Sequence, residues 1–535
     1  MKKIYTLLNF ALISQLTFSN VRNVPGTYTT IQAALNACLT GDTVMVQPGT
    51  YVENINWPNI ANIKLYSAGD TSNTVIDGNA AGTVISISTS LTDTNTVIKG
   101  FKITNGSGNS TFVYGVGVSV SSGGVKLKKC LLSDNLPGGN NTLYTFGGAL
   151  YISGNGSVLD GVMIRNNSSN SGGYAFGGGI YVDTSVPLWI RNSVVAYNLI
   201  TGTNYCFGGG IYSEGDLTMN NSTVKFNRTS SGGYNFGGGI NLSAGTGDLT
   251  NVSIRENTIG GNANYFWGAG LYMEGGATAT LTNVLVGDNA INPGGFVCAG
   301  GGIYTTGNGT ALTGMHVTVA GNYRQNNGNI NGTGLCAETS SSITLTNSIS
   351  YNNNSGAEVS TSSSTIIITY SDVRGGYTGT GNINQAPVFM GPIDFHLNAG
   401  SPCAGAGTTS GSPSFDLDNT ARPQPVATNP DMGSYEVDQT TVGAHSLSLN
   451  EISFSVYPSP FNMNTTLSYD LPSAMPVKVE LLDLEGKVVM NVCERMESEG
   501  PHNISLEGSS LAAGTYLCRM CAGNQVKMLK VVKVD

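Results

Sequence analysis

The chain has 535 residues, enough for several domains or for one elongated repeat domain with an appendage. Charged residues make up 11% of it, against about 25% in an average globular chain, and its 73 glycines are about double the usual share. The 40% apolar content excludes general disorder, and no basic run or aromatic–basic interleaving breaks the thinly spread net charge of −9, which argues against a nucleic-acid partner.

At the N-terminus, Lys2 and Lys3 precede a mostly apolar stretch, Ile4 to Phe18, that ends at Ser19-Asn20. This is the plan of a signal peptide over residues 1–20, too short and too polar at Asn9, Ser14 and Gln15 for a stable membrane span. No later stretch supplies 18 uninterrupted apolar residues, so the mature chain is expected to lack a transmembrane segment. Export permits disulfides. Yet the nine cysteines (Cys38, Cys130, Cys206, Cys298, Cys336, Cys403, Cys493, Cys518 and Cys521) are odd in number, scattered, and without zinc-site spacing. They read as small buried hydrophobes, with Cys518 and Cys521 facing opposite sides if they share a strand.

A glycine-rich unit then recurs: YTFGGALY (144–151), YAFGGGIY (174–181), YCFGGGIY (205–212), YNFGGGIN (234–241) and YFWGAGLY (265–272), with degenerate copies FVYGVGVS (112–119), VCAGGGIY (297–304) and INGTGLC (330–336). Aligned on the residue after the aliphatic one, the copies place Ser119, Tyr151, Tyr181, Tyr212, Asn241, Tyr272, Tyr304 and Cys336 in one column, 29 to 32 residues apart. A period near 31 with short β-rich stretches such as "PLWIRNSVVAYN" (187–198), and without helical periodicity, predicts a solenoid of about three short strands per coil. That is a parallel β-helix. A second column, Asn135, Asn167, Asn198, Asn227, Asn257, Asn289, Asn322 and Asn352, falls at the end of the second strand of successive units. It reads as a structural asparagine ladder at one corner.

Over roughly residues 25 to 437 this pattern resembles the secreted right-handed β-helices of the pectin-lyase-like type. "TYTTIQAALNACLTGDTVMVQPGTYVENI" (27–55) is similar to the opening of such domains. There a short amphipathic helix, about 29–39 with Ile31, Ala34, Leu35 and Cys38 inward, covers the end of the stack. "DFHLNAGSPCAGAG" through "PDMGSYE" (394–436), within a closing segment of about 386–437, is similar to one common on bacterial surface β-helices. Asp418, Arg422, Asp431 and Glu436 are expected there as ion-paired residues, with calcium at Asp416 and Asp418 as the alternative. After a polar linker (438–450), residues 451–535 resemble a type A C-terminal sorting domain of the type IX secretion system, with Ser459 where that family usually has asparagine between the prolines. Alternation in Val477–Leu482 and Gln525–Val534, with a turn at Glu485-Gly486, predicts a small antiparallel sandwich. The resemblance implies the type IX machinery as a partner, and a protein secreted from or attached to the surface of a Gram-negative bacterium.

Strand alternation places Val118, Leu150, Ile180, Ile211, Ile240, Leu271, Ile303 and Leu335 inward, and hence Tyr151, Tyr181, Tyr212, Tyr272 and Tyr304 outward as an aromatic strip. Asp183, Glu214 and Glu274 follow on the same face, as does Glu338, and the glycine column from Gly117 to Gly334 is expected to leave a trough beside them. Phe146, Phe176, Phe207, Phe236 and Trp267 form a further column whose direction the alternation leaves open. The tyrosines serve either as a structural ladder or as a carbohydrate platform for a polysaccharide or surface glycan. Asp183, Glu214 and Glu274 are the candidate catalytic carboxylates, at separations that suit glycoside hydrolysis, and calcium is the one cofactor such a face admits. The catalytic motifs of pectate lyases, pectinesterases and polygalacturonases are missing, and His316, mid-strand, reads as structural. The reading favoured is therefore a non-catalytic glycan-binding or adhesin-like protein, against a polysaccharide-degrading hydrolase or lyase.

Overall fold

The computed structural model describes residues 19–137, 142–293, 297–325, 331–351, 353, 356–437, 453–471, 475–483, 487–498, 500–522 and 525–534. The signal-peptide stretch up to residue 18, the linker 438–450, His445, the turn at Glu485-Gly486 and Asn352 lie outside them. The chain divides into two compact units, residues 1–439 and 440–535.

The first unit is an all-β parallel solenoid. One coil shows the plan. Ile180–Val182 belongs to an eleven-stranded parallel sheet, and Leu188–Arg191 and Val194–Ala196 to a 21-stranded sheet. Between the latter two the chain bends at Asn192, whose φ of 52° an asparagine tolerates. These three strands form the body, as the period suggests. The coil then adds two strands beyond that expectation, Leu199–Gly202 in a six-stranded sheet and Tyr205–Phe207 in a seven-stranded one, before Ile211–Ser213 starts the next turn. The additional pair carries its own narrow core, with Ala175, Ile200 and Cys206 in contact and Ile259, Phe266, Ile291 and Cys298 further along.

Every step of the repeat alignment is a register pair: Ser119 with Tyr151, Tyr151 with Tyr181, and so on to Tyr304 with Cys336. The inward column, Val118 to Leu335, is fully buried in one continuous core. At the corner the backbone N–H and the side-chain amide of each ladder asparagine both donate to Oδ1 of the next, at 2.8–3.2 Å from Asn135 to Asn322. The last acceptor is Asn353 rather than Asn352, because the strand register pairs Ala320 with Tyr351 and so sets Asn353 beside Asn322; its amide meets Glu358, which Arg374 holds at 3.0 Å.

Both ends of the core are covered. The helix Ile31–Asn36 starts at Thr30, whose hydroxyl accepts from Ala33 N–H, and Ile31, Ala34, Leu35 and Cys38 are buried as expected. At the far end Tyr377 packs against the core and donates to the Ile366 carbonyl at 3.0 Å. The closing segment, by contrast, lies on the side of the solenoid. Phe395 and Tyr435 pack on Leu285 and Ala320, which project from the outer face of the 21-stranded sheet.

In that segment Arg422 and Glu436 form the expected ion pair at 3.4 Å with both side chains fully buried, and Asp431 accepts N–H bonds from Gly405 and Val437 at 2.7 and 2.6 Å. Asp418 is paired with a different partner. Its loop turns it outward, where its carboxylate meets His396 at 2.7 Å instead of Arg422. Asp416 is filled by N–H donors of Asp418, Thr420 and Glu436 at 2.7–2.9 Å. His316 is structural, bonding Ser412, Asn347 and Arg422.

The second unit packs a three-stranded antiparallel sheet with a four-stranded one around Phe461, Leu467, Val479, Cys518, Met520 and Val531. Cys518 is buried and Cys521 only partly so, as alternation requires. All nine cysteines are free, seven of them buried.

Candidate functional site

The three consecutive glycines shape the candidate face. In the copy at 174–183, Gly177 has φ +65°, the left-handed region. A Cβ on Gly178 would stand 2.2 Å from the Gly209 carbonyl oxygen, and one on Gly179 would stand 2.9 Å from the Gly210 oxygen and 3.1 Å from the Asn198 amide. Each position excludes a side chain for its own reason. The in-register glycines thus face the asparagine ladder and the next coil's backbone, and the expected open trough is filled by protein.

This tight turn folds the seven-stranded sheet back over the outer face of the eleven-stranded one. Phe146 meets the Tyr181 ring edge-on at 5.1 Å, and Phe176 meets Tyr212 likewise at 5.1 Å. Tyr151, Tyr181, Tyr212, Tyr272 and Tyr304 do leave the helix core, but they are only 2–8% exposed, so they are a second core and not a surface strip. Alternation gives a side chain's direction out of its own sheet and says nothing about what covers it. The phenylalanine column, undirected by the sequence, is that cover. Two outer ladders result. One runs Phe112, Tyr144, Tyr174, Tyr205, Tyr234, Tyr265 with centroids 4.6–5.3 Å apart. The other runs Tyr114, Phe146, Phe176, Phe207, Phe236, Trp267 at 4.9–5.3 Å.

Rings stacked in a column cover one another's faces and offer edges to the side. Among the described residues of the two ladders, the first rung is the most exposed, with Phe112 and Tyr114 at 49% and 42%. Beside them lie two clefts of about 350 Å³ each, one lined by Tyr114, Ser119, Ser121 and Tyr151, the other by Phe112 with Thr83, Ser86, Ser107 and Ser110 among its walls. Neither cleft is lined by a charged side chain. Of the sequence-derived tyrosines only Tyr151 reaches this place. Phe112 and Tyr114 escaped notice because their copy, FVYGVGVS, is degenerate; the usable signal is that it is the first copy with aromatics, so its rings have no upstream neighbour.

The candidate carboxylates sit at the edge of the buried tyrosines and take their hydroxyls. Asp183 accepts from Tyr151 at 3.1 Å, Glu274 from Tyr272 at 3.0 Å and Glu338 from Tyr304 at 2.7 Å. Glu214 accepts from three hydroxyls, those of Tyr181 (3.3 Å), Tyr212 (2.8 Å) and Thr184 (2.8 Å). Burial pushes the Glu274 carboxyl above its ordinary range and the charge of Glu214 adds to the effect, while the Tyr272 and Ser243 hydroxyls oppose it. Burial likewise lifts the Tyr151 phenol to about 12. Among the described residues no group of three or more His, Cys, Asp or Glu side chains could hold a metal ion.

Residues 455–534 match the family model described as Secretion system C-terminal sorting domain. The chain carries a type IX sorting tail. This sorting tail spans the antiparallel unit, and its presence marks the β-helix as cargo for the cell surface or the exterior. No curated protein and no solved structure matches the chain. Among the described residues no helix is long and apolar enough to cross a membrane.

Proposed function

We propose that the β-helix is the functional part of a non-catalytic, adhesin-like protein of a Gram-negative bacterium, exported behind its signal peptide and binding glycan at the first rung of the aromatic ladders. The observation that carries this is the pair of open ring faces, Phe112 and Tyr114, next to clefts walled by hydroxyls and free of charge. Sugar C–H faces settle on aromatic rings, and serine, threonine and tyrosine hydroxyls exchange hydrogen bonds with sugar hydroxyls. The occupant is a neutral sugar at a chain end or branch, since a long polymer would find only ring edges along the column. Tyr151 contributes from the cleft wall; Tyr181, Tyr212, Tyr272 and Tyr304 support the face from beneath. The test is binding of the full chain to a panel of neutral plant, algal and microbial glycans. Tyr114→Ala and Phe112→Ala should each weaken capture about tenfold, equivalent to about 1.4 kcal/mol. Capture that both variants retain in full sinks this assignment.

A polysaccharide-degrading enzyme is the second reading, favoured by one observation. Glu274, raised by burial and by Glu214, has the character of a general acid beside a second carboxyl group. Against it, all of these carboxylates are occupied by tyrosyl hydroxyls. New chain ends detected by mass spectrometry after incubation with the same panel, and lost in Glu274→Gln and Glu214→Gln, would establish catalysis.

A further inference from the structure

Residues 64–191 contain eight cations: Lys64, Lys99, Lys102, Lys126, Lys128, Lys129, Arg165 and Arg191. They are far apart in sequence, and the fold gathers every one onto the strands and bends of a single sheet, the 21-stranded one. Register explains it. Lys64, Val97, Lys126, Val158 and Trp189 form one outward column, and Tyr66, Lys99, Lys128, Asp160 and Arg191 the next. Lys102, Leu131 and Met163 continue the face, with Arg165 paired to Ser133 beside them. Successive rungs stand about 4.8 Å apart, so neighbouring ammonium groups repel in a chain whose overall charge is negative.

Compensation is partial. Asp160 pairs with Lys128 and Arg191 at 3.6 and 3.3 Å, and Asp134 with Lys102 at 3.4 Å. Lys64, Lys99, Lys126, Lys129 and Arg165 form no salt bridge among the described residues. Lys99 lies over the Tyr66 ring at 5.6 Å. Interleaved with these charges are apolar groups facing water, notably Trp189 at 41% exposure and Met163 at 39%.

The geometry points to this face as a docking surface for an acidic polysaccharide, one bearing sulfate or carboxylate groups. Cations on three successive rungs, Lys64, Lys99 and Lys126 with Lys128, match a polymer that carries several acid groups, and Trp189 supplies a ring face for a sugar beside them. A glycan is chosen over nucleic acid because the sorting tail sends the chain outside the cell. This surface is separate from the aromatic clefts and does not rest on the reading given for them.

The test uses the full chain with dextran sulfate as the acidic probe, unsubstituted dextran as the neutral control and single-stranded DNA as the competing polyanion. Dextran sulfate should bind at least tenfold more tightly than dextran, with its affinity alone falling at least tenfold between about 50 and about 200 mM salt. The triple variant Lys99→Gln/Lys126→Gln/Lys128→Gln should bind about tenfold more weakly with a shallower salt slope, and the matching triple Lys→Arg variant should restore both. Trp189→Ala should weaken binding and leave the slope unchanged, whereas Phe112→Ala should alter neither the affinity nor the slope. Unaltered binding by the glutamine variant overturns the assignment, as does DNA bound at least as tightly as dextran sulfate. Should the triple variant misfold, the single Lys→Gln changes carry the test, each about two- to threefold weaker than wild type, and equal affinity in all three overturns the assignment too.

Discussion

The asparagine ladder and the tyrosine column are both built from one polar side chain per coil, yet they tolerate interruption differently. Each ladder asparagine accepts two hydrogen bonds from the coil before it and donates to the coil after it, all within a fully buried corner. The geometry is directional, so each rung from Asn135 to Asn353 must be asparagine. The tyrosine column is broken at Asn241, between Tyr212 and Tyr272, and the structure absorbs the break. Phe236 leans in to meet Tyr272 at 5.0 Å with a 40° tilt, although the buried Asn241 amide finds no partner among the described residues. Apolar contact has no fixed direction, so a neighbour can move in; a missing hydrogen-bond partner has no such remedy.

The largest expected effect follows from the ladder. Asn227→Ala removes two acceptor and two donor bonds from neighbours that stay buried, at 2.9–3.0 Å in the native protein. It should lower unfolding stability by about 3–5 kcal/mol, read from denaturant midpoints of the β-helix signal. A loss as small as that of a surface change would break the contrast. Next comes Gly178→Ala, whose Cβ would stand 2.2 Å from the Gly209 carbonyl oxygen and force two coils apart. It should cost about 1–3 kcal/mol by the same measurement. Within the column, Tyr212→Phe keeps the packing and removes only the hydroxyl that Glu214 accepts, so a loss of about 1 kcal/mol is expected. Asn241→Leu, which replaces an unpartnered buried amide with an apolar group, should be neutral or raise stability by up to about 1 kcal/mol. Destabilisation would show that this amide has a partner after all.

The smallest effect is one of pH. The ladder asparagines themselves carry no charge, whereas the tyrosine column is flanked by Glu274, whose carboxyl is raised by burial. A raised carboxyl favours folding in its protonated form. Its contribution is therefore full below the ordinary glutamate range and is lost as pH climbs through the raised value. Thermal midpoints of wild type and Glu274→Gln should run together at the acid end, where the protonated carboxyl resembles the amide, and wild type should fall below the variant as pH climbs through the raised value.

The repeat array was legible in the sequence because its period, its aliphatic column and its asparagines are properties of each coil, written once per coil. Strand-to-strand register and the antiparallel tail followed from the same local patterns (alternation, spacing and turn residues), and the helical cap from the resemblance carried by residues 27–55. What packs outside a strand is another matter. Alternation sent Tyr181 and Tyr212 out of the core, but only the fold showed that the strand Tyr174–Phe176 turns back through Gly177–Gly179 to bury them. It also left Phe112 and Tyr114, on the first, degenerate copy, with open faces. The cationic face is the clearest case. No local pattern joins Lys64, Lys99, Lys126 and Arg191, because neighbours across a parallel rung are about one coil of sequence apart. Sequence by itself determined that this chain coils, how long each coil is and which residues stack. Tertiary structure alone decided which of those stacks meets water, since exposure depends on what the next layer covers.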